Sequence, residues 1–320
     1  MFVNLIVLLI AIAITVFFVR LTVRAVKAQR MWVKILGGLG AGLLTLILAA
    51  ISFVGLKGFF GVYFAGGGDA PDISVAGTPE QIARGEYIVN LGCIGCHGAN
   101  GSEAQPLTGG VDMAAAEGFG FAGKIVTANL TPGGDLANYT DGEIFRAIRK
   151  SVDKDGRKLA FMSFLSYSQL SDADIEAVIA YLRSLPAAPG TGAGGDQLSF
   201  LGMLLFGSGI IPGAAPVEGQ VVAPPEGATP AYGKYVATLG DCRGCHGSDM
   251  TGTPASAFGP AVPNPRVFVG TLTLEEFIHT MRTGVRPNGK SFTDAMPWKS
   301  ASKMTDDDLA ALYAYLTAAP

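Results

Sequence analysis

The chain has 320 residues, of which 49% are hydrophobic and only 15% charged, with a formal net charge of −3. That length accommodates two domains with cores of ordinary size, and the apolar content excludes an intrinsically disordered chain. The charge balance excludes a surface built on excess Lys and Arg, so no nucleic-acid partner is expected.

Apolar residues are concentrated at the N-terminus. Residues 1–19 (MFVNLIVLLIAIAITVFFV) and 35–56 (ILGGLGAGLLTLILAAISFVGL) carry no charge, and each is near the ~20 residues a helix needs to cross a bilayer. A signal peptide opens on a basic segment, and MFVN has none, so the first run reads as a retained anchor. The intervening loop holds Arg20, Arg24, Lys27, Arg30 and Lys34 with no acidic residue, which marks it as cytoplasmic. Residues 1–65 are therefore expected to form a transmembrane helical hairpin in the cell (inner) membrane, with the rest periplasmic or extracellular. That exported part holds 17 basic against all 26 acidic residues, a balance of about −9. Such a charge suits docking of a basic protein as well as it suits simple solubility.

Two related stretches follow. GEYIVNLGCIGCHG (85–98) matches GKYVATLGDCRGCHG (233–247), the second with one extra residue ahead of its cysteine pair. FRAIRKSVDKDG (145–156) matches IHTMRTGVRPNG (278–289), aligning Arg149 with Arg282 and His279 with Arg146. Met162 stands 19 residues before Tyr181, and Met296 stands 19 before Tyr315. Both tyrosines lie in closing segments that open on Ser/Thr-Asp, a helix cap with acids in the first turn. Apolar residues such as Ile175, Val178, Ile179 and Leu182 then recur at helical spacing. The expected fold is all-α, with two copies of one small helical domain over residues 66–186 and 229–320. Between them 187–228 is a Gly/Pro/Ala-rich linker. It contains the uncharged LSFLGMLLFGSGII (198–211), too short to span a bilayer comfortably. That segment either docks on a neighbouring surface or the membrane interface, or packs between the two domains.

Cys93-Ile94-Gly95-Cys96-His97 and Cys242-Arg243-Gly244-Cys245-His246 both fit C-x-x-C-H, the attachment signature of haem c. Two cysteines three apart on a starting helix each reach one edge of a porphyrin as a thioether. The adjacent imidazole then takes an axial position on iron. A thioredoxin-like dithiol needs alternating strands and helices, and a four-cysteine zinc site needs its two pairs together; neither explains the His after each pair. Two haem c groups are expected, and attachment outside the cytoplasm agrees with the topology. Met162 (in FMSF) and Met296 (in AMPW) are the candidates for the second axial position, the latter held by the rigid Pro297. Met/His ligation suits electron transfer, whereas an open position permits chemistry on a small ligand. Arg149 and Arg282 are either haem-propionate partners or ordinary helix charges, and His279 reads as a surface position.

On these motifs, together with VTANLTPGG (126–134) and SYSQLSDADIEAVIAYLRSLP, residues 79–319 resemble tandem class I-type cytochrome c domains. They are similar to the multihaem cytochrome c subunits of alcohol and gluconate dehydrogenases, which usually carry three haems and a C-terminal anchor. An N-terminal anchor ahead of two haem domains is instead similar to the dihaem subunit of cbb-type cytochrome oxidases. Either resemblance implies a non-catalytic electron-transfer subunit of a respiratory or photosynthetic complex. Its partners would be integral-membrane subunits in the lipid bilayer, a quinol-oxidising or dehydrogenase donor, and an oxidase or soluble carrier as acceptor. The alternative is a dihaem peroxidase or small-molecule oxidoreductase with one displaceable axial position.

Overall fold

A computed structural model describes residues 1–319 apart from 103, 191–194, 212, 214–216, 256–258 and 294. Residues 191–194, 212 and 214–216 of the expected linker thus lie outside the described residues. The chain is mostly helical. Helix α1 (Phe2–Val26) and helix α2 (Gly38–Tyr63) pack together as a hairpin, α2 being continued at its start by a wider turn at Val33–Gly37. Both helices are long and apolar enough to cross a membrane. They extend beyond the uncharged runs, so that Arg20 and Arg24 fall in the last turns of α1, where a cation is favoured by the helix dipole. Hydroxyl pairs bridge the two helices, Thr15–Ser52 at 3.0 Å and Thr22–Thr45 at 3.1 Å. In an apolar surround such groups need partners within the protein.

Each repeat contributes three longer helices. The first has α3 (Pro79–Ile88), α4 (Asp141–Lys150) and α5 (Asp172–Ser184). Between α5 and the second repeat lies α6 (Phe200–Gly207); the second repeat then has α7 (Pro230–Leu239), α8 (Leu274–Thr283) and α9 (Asp306–Thr317). Thr78, Thr140 and Thr273 make capping boxes with Gln81, Glu143 and Glu276, while Ser171, Thr229 and Thr305 cap by side chain alone. These local signals fix where each helix starts.

The first and last helices of each repeat cross at a glycine. A Cβ at Gly85 would lie 1.9 Å from the Ala177 carbonyl oxygen, and one at Gly233 would lie 1.9 Å from that of Ala311. Both backbones therefore touch without an intervening side chain. Arg149 and Arg282, read from the sequence as either propionate partners or ordinary helix charges, are engaged within the protein. Arg149 donates to the carbonyls of Ser168 and Leu170 and to Asp172; Arg282 donates to the carbonyl of Ser302 and to Asp306. Each arginine pins the N-terminus of its own closing helix, where the chain leaves carbonyl and carboxylate acceptors together.

The apolar segment 198–211 docks on protein. Ser199 caps α6, and α6 lies on α2 through glycines: a Cβ at Gly58 would meet the Met203 carbonyl oxygen at 2.6 Å, and one at Gly61 that of Gly207 at 2.0 Å. Small residues at a crossing allow this backbone approach. Strand β1 (Gly123–Val126) pairs antiparallel with β2 (Gly195–Leu198), Gly123 opposite Leu198. The buried Asn4 amide donates to Tyr63 Oη (2.8 Å) and to the Leu198 carbonyl (2.9 Å), joining α1, α2 and β2. The Lys158 backbone N–H donates to Val62 and its ammonium to the Phe206 carbonyl (3.0 Å), with burial lowering the ammonium's pKa. The first repeat is thus fastened to the hairpin by backbone and side chain together.

The two repeats share one continuous set of buried side chains, from Ile88 and Ile175 in the first to Leu239 and Leu309 in the second. Their polar contacts are reciprocal. Tyr87 Oη donates to Asp308 (2.5 Å) and accepts from the Thr305 amide (3.1 Å). Tyr235 Oη donates to Asp174 (2.5 Å) and accepts from the Ser171 amide (2.8 Å). Tyr87 and Tyr235 occupy one repeat position, as do Asp174 and Asp308. This is the arrangement of a two-fold isologous interface, in which residue i meets j and j meets i. It places each tyrosine over the capped start of the other repeat's closing helix.

Candidate haem-binding sites

In each repeat the cysteine pair rides a short helical turn at the end of the opening helix. Ile94–His97 follows α3 after the wider turn Val89–Cys93, and Cys242–His246 follows α7. No disulfide joins the four cysteines; Cys93, Cys96 and Cys242 are half-buried and Cys245 is exposed. Burial pushes the Cys93 and Cys242 thiols up to about 12 and raises those of Cys96 and Cys245 as well. Among the described residues no group of three or more His, Cys, Asp or Glu side chains converges to hold a bare metal ion, so neither cysteine pair belongs to a four-ligand zinc site. Thioether formation leaves no charge to bury, so the site fits covalent haem.

The histidines are held in a single tautomer. His97 Nδ1 lies 2.9 Å from the Ala128 carbonyl and His246 Nδ1 lies 3.0 Å from that of Pro263. A carbonyl only accepts, so Nδ1 carries the hydrogen and Nε2 keeps its lone pair for a metal. Desolvation lowers the His97 pKa despite the opposing hydrogen bond, favouring the neutral ligand form. The carbonyl loops are built alike. Asn129 follows Ala128 and accepts from the Thr131 amide at 2.9 Å; Asn264 follows Pro263 and accepts from the Arg266 amide at 2.9 Å. Asn129 also reaches the Ala188 carbonyl (2.9 Å), locking its loop against the chain after α5. Neither asparagine nor the two carbonyls were singled out by motif; the shared Asn in TANLT and VPNPR was the available signal.

Met162 opens a short turn, Met162–Phe164, and Met296 precedes the turn Trp298–Ala301; both are half-buried. Met296 packs against the shared core, whereas the neighbours of Met162, Phe161 and Phe164, pack against the buried cluster at the hairpin. The two cysteine pairs flank one carboxylate. Burial raises the thiols of Cys96, Cys242 and Cys245; the Asp241 charge is the next cause at Cys242 and Cys245, and at Cys96 it follows the charge of Glu117. Tyr167 lies in the same region: burial, then the charges of Asp241, Cys93, Cys96 and Cys242, holds its hydroxyl protonated. His279 lines an open surface crevice with Glu275, Arg282 and Asp306.

Comparison with known proteins agrees with this geometry. Residues 82–186 match the family model for cytochrome c, and residues 228–316 match that for cytochrome c oxidase, cbb3-type, subunit III. The chain therefore carries two cytochrome c domains, each with its C-x-x-C-H pair, implying two haem c groups. Over 263 residues, 75% of this chain and 53% of the relative, it is 24% identical to the fructose dehydrogenase cytochrome subunit of Gluconobacter japonicus. Over 94 residues, 26% of this chain and 20% of the relative, it is 36% identical to the cytochrome c subunit of alcohol dehydrogenase (quinone) of Gluconacetobacter polyoxogenes. The gluconate 2-dehydrogenase cytochrome c subunit of Pantoea cypripedii is 33% identical over 95 residues, 26% of this chain and 21% of that one. The chain thus spans from a fifth to about half the length of these curated relatives.

Proposed function

We propose that the chain is a membrane-anchored dihaem cytochrome c that passes electrons as a subunit of a membrane-bound dehydrogenase complex. Electrons enter from a dehydrogenase or quinol-oxidising partner and leave to an oxidase or soluble carrier. The supporting observation is the pair of equivalent histidine–carbonyl sites (His97–Ala128, His246–Pro263) in two docked domains fastened to one apolar hairpin. The similarity to subunits of alcohol, fructose and gluconate dehydrogenases supports the class of complex.

When bound, each haem supplies a one-electron iron couple whose potential its axial ligands set. Cys93, Cys96, Cys242 and Cys245 hold the two groups by thioethers. His97 and His246, oriented by the Ala128 and Pro263 carbonyls, would offer Nε2 to the iron, and Met162 and Met296 would supply the remaining ligands. No residue takes a catalytic role. The hairpin holds the assembly in the membrane with both domains on the periplasmic side.

The test is expression of the full chain with haem c maturation, followed by a pyridine haemochrome assay on the membrane fraction. Two haem c per chain are expected, and one in the Cys93→Ala/Cys96→Ala variant. In Met162→Ala and Met296→Ala the sulfur-to-iron absorption band should fall by half. A chain that carries no haem, or that washes off membranes in high salt, would overturn the reading. An unchanged band in Met162→Ala would remove that ligand and open the first site to small molecules.

A further inference from the structure

The electron-transfer reading leaves two features unused: the extra residue ahead of the second cysteine pair, and Tyr167. In the repeat alignment Gly92-Cys93 corresponds to Gly240-Asp241-Cys242, so Asp241 is the inserted residue. It sits in the left-handed region (φ 49°, ψ 27°) at the start of the turn Cys242–His246. From there its carboxylate reaches into the first domain and accepts from the Ser166 amide (2.7 Å) and hydroxyl (2.5 Å). The neighbouring Arg243 donates to Gln169 Oε1 at 2.6 Å. The insertion therefore clamps the segment 166–169 against the second cysteine turn.

Tyr167, held by that clamp, is buried and turns its phenol toward the first cysteine turn. A Cβ at Gly92 would lie 2.2 Å from Tyr167 Oη, so the ring approaches this backbone only because residue 92 is glycine. The corresponding position in the second repeat is Ala301, and Gly240 is met instead by the Met304 methyl. The two-fold relation between the repeats is broken here. What results is an unbroken path: Cys93 bonded to Gly92, Gly92 in contact with Tyr167, Tyr167 bonded to Ser166, Ser166 hydrogen-bonded to Asp241, and Asp241 bonded to Cys242.

Resting on the dihaem reading above, we propose that the electron crosses between the two domains at this contact, cysteine edge to cysteine edge. Tyr167 is the packed bridge and Asp241 the positioning residue that holds it. One electron moves; one iron is oxidised as the other is reduced, and no bond or proton changes hands. Close packing serves this step because a gap between the turns would leave the electron a through-space jump. Asp241 acts through the backbone of Ser166 and not on a haem.

The experiment uses the full-length holoprotein in detergent and compares wild type with Tyr167→Leu, Tyr167→Phe and Asp241→Gly. Glycine keeps the left-handed backbone at 241 without strain. Three readouts are taken: haem content, the inter-haem distance distribution from electron paramagnetic resonance, and the rate at which a photoinjected electron equilibrates between the haems. Phenylalanine removes the Oη nearest Gly92 but keeps the ring carbons behind it, and should slow the exchange less than leucine at unchanged distance. Leucine should slow the exchange by about tenfold, equivalent to ~1.4 kcal/mol of barrier, at unchanged distance. Removal of the Asp241 carboxylate should broaden the distance distribution and slow the exchange together. Wild-type rates in both Tyr167→Leu and Asp241→Gly, with two haems bound, would overturn the proposal. A wild-type protein whose two haems exchange no electron would instead overturn the dihaem conductor reading itself.

Discussion

Tyr235→Phe removes one hydroxyl from the middle of the domain interface. That oxygen donates to Asp174 at 2.5 Å and accepts from the Ser171 amide at 2.8 Å, and Ser171 and Asp174 are only 3% and 6% exposed. Phenylalanine preserves the ring packing, so the loss is confined to two hydrogen bonds. A buried amide left without an acceptor costs about 1–3 kcal/mol. The carboxylate loses a charge-assisted bond, usually worth about 1.5–3 kcal/mol, but Asp174 keeps both bonds from Arg84, at 2.7 and 3.0 Å. The second contribution therefore falls at the low end, giving a total of about 2.5–4.5 kcal/mol. Denaturant unfolding of the holoprotein, followed by haem absorbance, measures that total. Hydrogen exchange of residues 171–174 locates it, because the first turn of α5 should open while the far end of α5 does not. An unchanged midpoint together with unchanged exchange at Ser171 would refute the assignment of Tyr235 as the cap of the other domain's helix.

Four further outcomes follow from the geometry. Gly85→Ala and Gly233→Ala gain ~1 kcal/mol of helix propensity, yet each new methyl would meet a carbonyl oxygen 1.9 Å away. Overpacking of about 1–3 kcal/mol or more should win, so both variants should melt below wild type. Burial raises Asp196 from 3.8 to about 6; the folded chain keeps that proton after the unfolded chain has lost it, so this group's contribution to stability declines as pH rises across that window. The decline should be absent from the pH profile of Asp196→Asn. Asn129→Ala releases the loop that presents the Ala128 carbonyl, and the His97 Nδ1 proton resonance of the reduced protein should shift while that of His246 stays. If the acidic balance of the exported part guides a basic partner, inter-protein electron-transfer rates should fall as ionic strength rises; a flat response removes that role.

Most of the architecture could be read from local pattern. Helix caps, the apolar hairpin and the duplicated C-x-x-C-H turns are encoded by neighbouring residues, and each appears where its signal stands. The relations that escaped are those carried by backbone or by distance. A carbonyl has no residue identity, so Ala128 and Pro263 were invisible, although the Asn after each was not. Arg149 and Arg282 could be matched to propionates or to carbonyls with equal ease, because a guanidinium accepts either geometry; only the fold shows the capped helix start beneath them. The segment 198–211 announced that it was apolar and short, but its occupant was named by glycines 140 residues upstream, Gly58 and Gly61, whose spacing a helix packs onto. Tyr87, Tyr235, Asp174 and Asp308 were all aligned in the repeats, yet nothing local says that each tyrosine serves the other copy.

The fastening of the first domain also sets the first site against the apolar hairpin. Cys96 packs against the cluster that contains Phe59, Val62 and Tyr63 from the end of α2, with Leu198, Met203 and Phe206 of the α6 region. Cys96 thus shares a buried cluster with the end of α2. The second domain meets the first through the reciprocal tyrosines and the Asp241 clamp, and Cys242 follows that clamp directly. The hairpin is thus more than a leash: Asn4, the α2–α6 glycine crossing and the β1–β2 pair convert it into a base on which the first site is held at a set height. A one-electron carrier needs fixed separations more than it needs motion. This chain supplies them twice, once between the apolar hairpin and the first domain by close backbone contact, and once between the two domains by an interface in which each copy caps the other.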